Sequence, residues 1–309
     1  MLPMLIAALL GQSSLVPTLG QGGFFYGAIP LPQARGPRLL VASLLIAVGL
    51  GFYLMGGNVV FNPLLSVVFT FFVAFNIGLL SGFNIMGMLA IHFISIYTAG
   101  LNASAPDKVH TNFIAFVAAF GWGAIVSLVF NWKGQPAKET TQHKTADYFL
   151  AGIRMGVGTS TALLVSTLFG FEKLGWAPSG AGLVIGYDTE TSKKLAWARF
   201  VATLGGAILA TLCFFISINA LFLMIMSLLF TVLNGLFKAT KVGSMPLFYT
   251  ATILILFSIS SPINGPILAA ERIFYNVIGI TIGLALVFYP FPALAKRFKE
   301  RLDAAQTKV

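Results

Sequence analysis

The stretch WAPSGAGLVIGYDTETSKKLAWARFVATLGGA, residues 176–207, decides the fold. It begins with a short apolar run, continues through a polar turn that holds Asp188 and Glu190, and ends in a basic group followed by a Gly-rich apolar run. This order is typical of a segment that crosses half of a membrane and brings charge to the interface. The basic group consists of Lys193, Lys194 and Arg199.

Composition indicates that the whole chain lies in a membrane. Of the 309 residues, 57% are hydrophobic and only 9% are charged, which is too little polar surface for a soluble domain of this size. Apolar runs of about 17–22 residues fit helices across about 30 Å of hydrocarbon, and they lack the alternation of a membrane barrel. The sequence therefore predicts an all-α integral membrane protein.

Twelve apolar segments predict about twelve transmembrane or half-spanning helices. They cover 2–19, 22–33, 38–56, 62–80, 84–102, 112–132, 149–170, 174–187, 197–216, 219–236, 245–261 and 273–291. The second and the eighth are too short to cross straight, and each contains helix-breaking residues. These residues are Gly22, Gly23, Pro30 and Pro32 in the second segment, and Gly175, Pro178, Gly180 and Gly182 in the eighth. Broken segments of this kind line cavities more often than they face lipid.

The two groups of six segments resemble each other. Phe75-Asn76 matches Leu233-Asn234, Val129-Phe130 matches Val287-Phe288, and Arg38 matches Arg199, at shifts of about 158 to 161 residues. An even number of helices in each group predicts two parallel six-helix repeats. The predicted domains are a membrane half at 1–132, a polar cytoplasmic linker at 133–147, and a membrane half at 148–309 that ends in a short basic tail.

The distribution of basic residues orients the chain. With both termini in the cytoplasm, the predicted inside loops hold most of the Lys and Arg residues, as the positive-inside rule requires. The net charge of +10 is thus orientation charge rather than a face for nucleic acid. The predicted partner of the helices is the lipid bilayer, and no nucleic-acid partner is predicted.

Trp176-Ala-Pro with the polar turn, Arg199-Phe-Val-Ala-Thr-Leu-Gly-Gly, and Arg272 with Gly279 and Gly283 resemble the fusaric acid resistance and aromatic acid exporter family. More distantly, they resemble the plant aluminium-activated malate channels. The resemblance covers the second half better than the first. It implies a two-repeat transporter of the bacterial inner membrane that moves aromatic or other hydrophobic carboxylates outward. It also implies a periplasmic adaptor protein as a partner, and a homo-oligomer stays open.

Four arginines are candidate ligands for an organic anion, because a guanidinium stays charged and can hold a carboxylate through two hydrogen bonds. Arg38 and Arg199 are predicted at the start of the third helix of each half, where the alternative is an anchor to lipid phosphates. Arg154 lies within an apolar segment and is predicted to face the bundle interior. Glu271 and Arg272 are predicted to open the last helix, where the alternative is a local ion pair.

Five further residues complete the predicted substrate path. Trp176 is an aromatic lining residue. Only one of Lys193 and Lys194 can face a pore, because neighbouring side chains on a helix point about 100° apart, and the alternative is a solvated loop. Asn76 and Asn234, at matching positions in apolar helices, either join neighbouring helices or line the path.

Proton coupling has three candidate residues. His92 lies near the middle of an apolar helix and titrates near neutral pH, although a neutral imidazole bonded to a neighbouring helix is the alternative. Asp188 and Glu190 are the other two, with capping of the following helix as their alternative role.

Motifs of enzymes and metal sites are absent from the sequence: it has no GxSxG, P-loop, HExxH or His/Cys cluster, and a single Cys213. Catalytic residues, cofactors and metals are therefore not expected. The predicted function is secondary active efflux of small organic anions, chiefly aromatic carboxylates, coupled to protons. The alternatives are a passive organic-anion channel and a non-transporting membrane scaffold protein.

Overall fold

A computed structural model describes residues 2–28, 34–80, 84–103, 105–129, 145–186, 188–239, 247–259 and 262–288. Within these ranges all regular structure is helical. The α-helices are α1 Leu2–Leu9, α2 Val16–Ala28, α3 Arg35–Leu44, α4 Leu50–Val59, α5 Pro63–Leu80, α6 Asn84–Gly100, α7 Pro106–Val129, α8 Thr145–Leu168, α9 Trp176–Gly182, α10 Thr189–Ile216, α11 Ala220–Ala239, α12 Leu247–Ser258 and α13 Gly265–Phe288. A π-helical turn, Leu45–Gly49, joins α3 to α4.

Seven helical stretches in the described residues are long and apolar enough to cross a membrane. They are Gly36–Val59, Pro63–Leu80, Pro106–Ser127, Asp147–Leu168, Thr189–Ile216, Ala220–Phe237 and Gly265–Phe288. Helix α12 is apolar but has only 12 residues. The predicted class, an all-α membrane protein with many crossings, is confirmed. The arrangement in two parallel repeats stays a prediction.

The first break in the chain lies elsewhere than predicted. Gly22 and Gly23 were expected to interrupt a helix, but both lie within α2. The interruption comes earlier, at Gly11, whose φ of 73° is the left-handed conformation that ends a helix. Gly22 serves packing instead, since a Cβ there would lie 2.9 Å from the Cβ of Ala119 on α7. Pro30 and Pro32 lie outside the described residues.

Two later helices begin about two turns before their predicted starts at 197 and 273. Helix α10 begins at Thr189, so Arg199 lies well inside it rather than at its first turn. Helix α13 begins at Gly265, and Pro266 suits its first turn. The interpretation of Glu271 and Arg272 as helix-opening residues is therefore wrong, because hydropathy alone assigned these charged turns to loops.

The chain forms two compact units, each built from both predicted halves. Unit 1 comprises the described residues of 1–54, 104–138 and 198–274, and unit 2 those of 55–103, 139–197 and 275–309. The division of the chain at the linker 133–147 stays a prediction, because residues 130–144 lie outside the described part.

Unit 2 is built around the short helix α9, which is buried along its whole length. Helix α8 packs beside it, α6 covers another side, and the end of α13 covers a third. Small residues allow these approaches: a Cβ at Gly279 of α13 would overlap the carbonyl oxygen of Ala177. At the start of α9, the Gly175 N–H donates to Asn102 Oδ1 at 2.8 Å. The predicted half-spanning segment is therefore a fixed core element of its unit.

Unit 1 pairs α2 with α7 and with α12. Polar clamps join α2 to α7, since Thr18 Oγ1 donates to Asn112 Oδ1 at 2.9 Å and the hydroxyls of Tyr26 and Ser127 lie 3.1 Å apart. Against α12, the close approach is made at Gly20, whose Cβ would lie 2.7 Å from both methyl groups of Leu256. The short helix α2 is thus held on two sides within its unit.

The backbone contact at Gly279 yields a first prediction. Gly279→Ala should lower the stability of the protein by about 1–3 kcal/mol, because the added methyl group overpacks a backbone contact that cannot move aside. Thermal unfolding in detergent measures this effect. Gly121→Ala is the matched control, since a Cβ there meets no atom within 4 Å and alanine favours the helix by up to about 1 kcal/mol. Equal melting temperatures for the two variants would contradict the packing described.

Candidate functional site

Two arginines and a tyrosine converge in unit 1. Arg272 lies about two turns inside α13 and is only 4% exposed. Arg199 of α10 and Tyr249 in the first turn of α12 are half-buried. Both guanidinium groups interact electrostatically with Tyr249 and with each other. The structure thus brings together two of the four predicted arginines from different helices.

Glycines in α10 make this convergence possible. A Cβ at Gly206 would lie 2.5 Å from the carbonyl oxygen of Leu247, the residue that begins α12. A Cβ at Gly205 would lie 2.6 Å from the Leu247 side chain. The first turn of α12 can therefore approach α10 closely, and Tyr249 in that turn comes within range of Arg199.

The arrangement concentrates positive charge inside apolar helices. Both arginines lie in helices that are candidate membrane spans, where a guanidinium costs a few kcal/mol unless it meets an opposite charge or strong hydrogen bonds. An anion between them is attracted by both groups, and each can donate two parallel hydrogen bonds to a carboxylate. The Tyr249 hydroxyl adds a neutral donor. The site is therefore suited to a carboxylate ligand.

Arg38 has a separate setting in unit 1. Its side chain is buried, and Nη1 donates to the carbonyl oxygen of Ser127 on α7 at 3.0 Å. A side chain that extends to lipid phosphates would be exposed, so the burial favours an interior role over the alternative of a lipid anchor.

Arg154 belongs to unit 2, whereas Arg199, Tyr249 and Arg272 belong to unit 1. Its side chain is 7% exposed, which agrees with the prediction that it faces the interior. Among the described residues, Nε has no hydrogen-bond partner, while Asp147 on the same helix is within electrostatic range.

The predicted lining residue Trp176 is buried in α9 and lies against Tyr275, with the ring centroids 6.0 Å apart.

The polar residues at the start of α10 are engaged with one another. Asp188 caps the helix, because its Oδ1 accepts the Thr191 N–H at 2.8 Å. Glu190 forms an exposed ion pair with Lys193 at 3.0 Å. The Lys193 ammonium also lies 5.5 Å from the centre of the Phe288 ring, while Lys194 is exposed. These contacts agree with the capping and solvated roles that were the alternatives for these residues.

The remaining predicted residues belong to helices of both units. Asn76 of unit 2 is exposed and its Nδ2 donates to the Phe72 carbonyl of its own helix at 2.7 Å. Asn234 of unit 1 is half-buried in α11, and His92 of unit 2 is half-buried in the middle of α6. A role of these residues in substrate binding or proton coupling stays a prediction.

Sequence reasoning missed Tyr249. It stands in the apolar run LFYTATILILFS, where an aromatic residue is the normal filling of a membrane helix. The usable signal is the polar pair Tyr249 and Thr252, three residues apart and so on neighbouring positions of one helix face.

Seven helical stretches long and apolar enough to cross a membrane, within the described residues, define this chain as a multi-pass helical membrane protein. Residues 161–286 match the family described as fusaric acid resistance protein-like, which confirms the predicted resemblance over that part of the chain. The match contains Arg199, Tyr249 and Arg272, whereas Arg38 and Arg154 lie outside it. No curated protein and no solved structure matches the chain.

The contacts of Asp188 lead to a second prediction. Asp188→Ala should destabilise the protein by about 1 kcal/mol through loss of the cap, whereas Asp188→Asn should retain most of the stability because an amide oxygen still caps. Thermal unfolding measures the difference. If Asp188 is a cap only, both variants transport organic anions with the same pH dependence as the wild type. A changed pH dependence in Asp188→Asn would restore its role as a proton carrier.

Proposed function

We propose that this protein is a secondary active exporter of small organic anions, with aromatic carboxylates as the substrate class and proton antiport as the driving force. The match to a family of transporter-like membrane proteins supports the general class. The substrate class is supported by the residues that converge in unit 1.

The observation that carries the proposal is the cluster of Arg199, Tyr249 and Arg272. Ionisable residues inside membrane helices are expensive and usually mark a substrate or ion path. Two guanidinium groups favour an anion over a cation or a neutral molecule, and their planar geometry favours a carboxylate. A carboxylate ligand offsets the cost of burying the two positive charges.

Aromatic side chains beside the cluster support a ring-bearing substrate. Phe248, the neighbour of Tyr249, contacts two rings of α11, with centroid distances of 5.9 Å to Phe230 and 5.4 Å to Phe237. Aromatic rings pack favourably against one another in tilted arrangements. These rings lie on the face of α12 about 100° from Tyr249, so unit 1 offers aromatic surface on the same helix as the cluster.

We assign the proton-coupling role to His92. Asp188 and Glu190 already cap and pair at the start of α10. His92 stands at the centre of α6, and an imidazole gains or loses its proton near neutral pH. Binding of a proton on one side and its release on the other would give the outward movement of the anion its energy.

The setting that follows from this proposal is the bacterial inner membrane, with both termini in the cytoplasm. A periplasmic adaptor protein would carry the anion onward, and a homo-oligomer is compatible with the extensive apolar surface of the helices.

Arg38 has the strongest claim to a role on the path among the other predicted ligands, because it is buried and belongs to unit 1. The other predicted ligands are Arg154, Lys193, Lys194, Trp176, Asn76 and Asn234.

A third prediction tests the central assignment. Purified protein in liposomes should transport labelled benzoate in response to a pH gradient, and Arg272→Gln or Arg199→Gln should reduce the rate at least tenfold, since each removes a charged donor worth about 1.5–3 kcal/mol. Lys194→Gln, an exposed positive charge, is the matched control and should transport like the wild type.

Three results would redirect the proposal. Benzoate flux that persists without a pH gradient and passes as a current would indicate the passive channel. Absence of flux for a panel of organic anions would leave the membrane scaffold. Unchanged flux in both arginine variants would remove the cluster from the path.

A fourth prediction concerns coupling. His92→Gln should leave downhill benzoate flux largely intact but abolish its acceleration by a pH gradient, because glutamine keeps a hydrogen-bonding side chain and cannot carry a proton. Parallel measurement of downhill and gradient-driven flux separates the two effects. A gradient response equal to that of the wild type would exclude His92 as the proton carrier.

A further inference from the structure

One buried hydroxyl group near the cluster has no hydrogen-bond partner among the described residues. The Thr252 side chain of α12 is 0% exposed, and its Oγ1 is unpartnered there. Threonines in membrane helices ordinarily donate to a carbonyl one turn earlier, as Thr231 does to Ser227 at 2.8 Å. An unsatisfied buried hydroxyl costs about 1–3 kcal/mol, so its retention needs a reason.

Thr252 lies one helical turn after Tyr249 on α12. Tyr249, Thr252 and Leu256 follow one another at spacings of three and four residues, which puts them on one face of α12. That face looks towards α2, because a Cβ at Gly20 would lie 2.7 Å from the Leu256 methyl groups. The hydroxyl of Thr252 therefore lies one helical turn from Tyr249, along the surface where α2 and α12 meet in unit 1.

The corresponding surface of unit 2 shows the contrast. There the short helix α9 packs against α6, and Gly182 faces the apolar side chain of Ile94. The nearby hydroxyl, that of Thr98, is satisfied by the carbonyl of Ser95 at 3.1 Å. The Thr252 hydroxyl of unit 1 is thus a buried donor without a partner among the described residues. The packing of α9 against α6 in unit 2 shows that a contact between a short helix and its neighbour does not need such a group.

The second unpartnered hydroxyl of α12 has a different position. Ser258 lies six residues after Thr252, so the two side chains point about 120° apart around the helix. Ser258 therefore does not belong to the face that carries Tyr249.

We propose that Thr252 is a specificity-determining residue whose hydroxyl donates a hydrogen bond to the carboxylate anion held by Arg272 and Tyr249. This inference rests on the proposed function and extends it from the guanidinium groups to a neutral donor. An additional directed donor distinguishes a carboxylate, with several acceptor positions, from a spherical anion such as chloride.

The test uses Thr252→Val, which has nearly the same shape and lacks the hydroxyl, in the full-length protein in detergent. Benzoate affinity, measured by the ligand-induced rise in melting temperature, should fall about tenfold, the loss of one hydrogen bond to a charged group. Thr252→Ser should bind like the wild type. Without benzoate, Thr252→Val should be as stable as the wild type or more stable, because an unsatisfied polar group is removed.

Ser227→Ala is the matched control. Ser227 is equally buried, lies in the same unit, and satisfies its hydroxyl with the carbonyl of Met224 at 2.9 Å. Its loss should leave benzoate affinity unchanged.

The outcomes separate this inference from the function on which it rests. If Arg272→Gln loses benzoate binding while Thr252→Val binds like the wild type, the role of Thr252 is wrong and the proposed function stands. If the wild-type protein shows no response to benzoate or to other carboxylates, both are wrong. A large fall in ligand-free stability of Thr252→Val would assign Thr252 to structure and overturn the inference.

Discussion

The repulsion between two guanidinium groups within an apolar helix bundle is the constraint around which unit 1 is organised. Arg199 and Arg272 are within electrostatic range of each other and of Tyr249, and both belong to helices whose other residues are mostly apolar. Like charges in a medium of low polarity raise the energy of the folded state. Such an arrangement persists only where the surrounding packing enforces it.

The packing that enforces it depends on glycine. Gly206 lets the first turn of α12 approach α10 at backbone distance, and Gly20 of α2 lies against the Leu256 side chain at the other end of α12. Larger residues would separate these helices by the width of a side chain and carry Tyr249 away from the arginines. In unit 2, close backbone contacts at Gly279 and Gly175 bury α9. Glycine contacts thus hold the short helix of each unit.

The class of fold could be predicted from the sequence, because length and apolarity alone require membrane helices. The helix boundaries were less accessible. Asp188 caps α10, and Pro266 lies in the first turn of α13, so both helices begin before their apolar runs. A prediction from hydropathy assigns the charged residues in the early turns of these helices to loops. Arg272 could be selected for its residue type, but its meeting with Arg199 depends on contacts between distant segments. Tyr249 carried no signal of its own, since aromatic residues are common in such helices.

The two halves of the sequence contribute unequally to the proposed anion site. Arg199, Tyr249 and Arg272 all come from the second half and lie within the residues that match the family. Leu256, which shares a face of α12 with Tyr249 and Thr252, however, packs against Gly20 of α2 in the first half. If the halves are repeats, the first contributes α2 and Arg38, and the second contributes Arg199, Tyr249 and Arg272. A symmetric pair of sites would need an arginine in α7 equivalent to Arg272, and α7 has none. One anion site, assembled from both halves and charged by the second, is the arrangement that these residues favour.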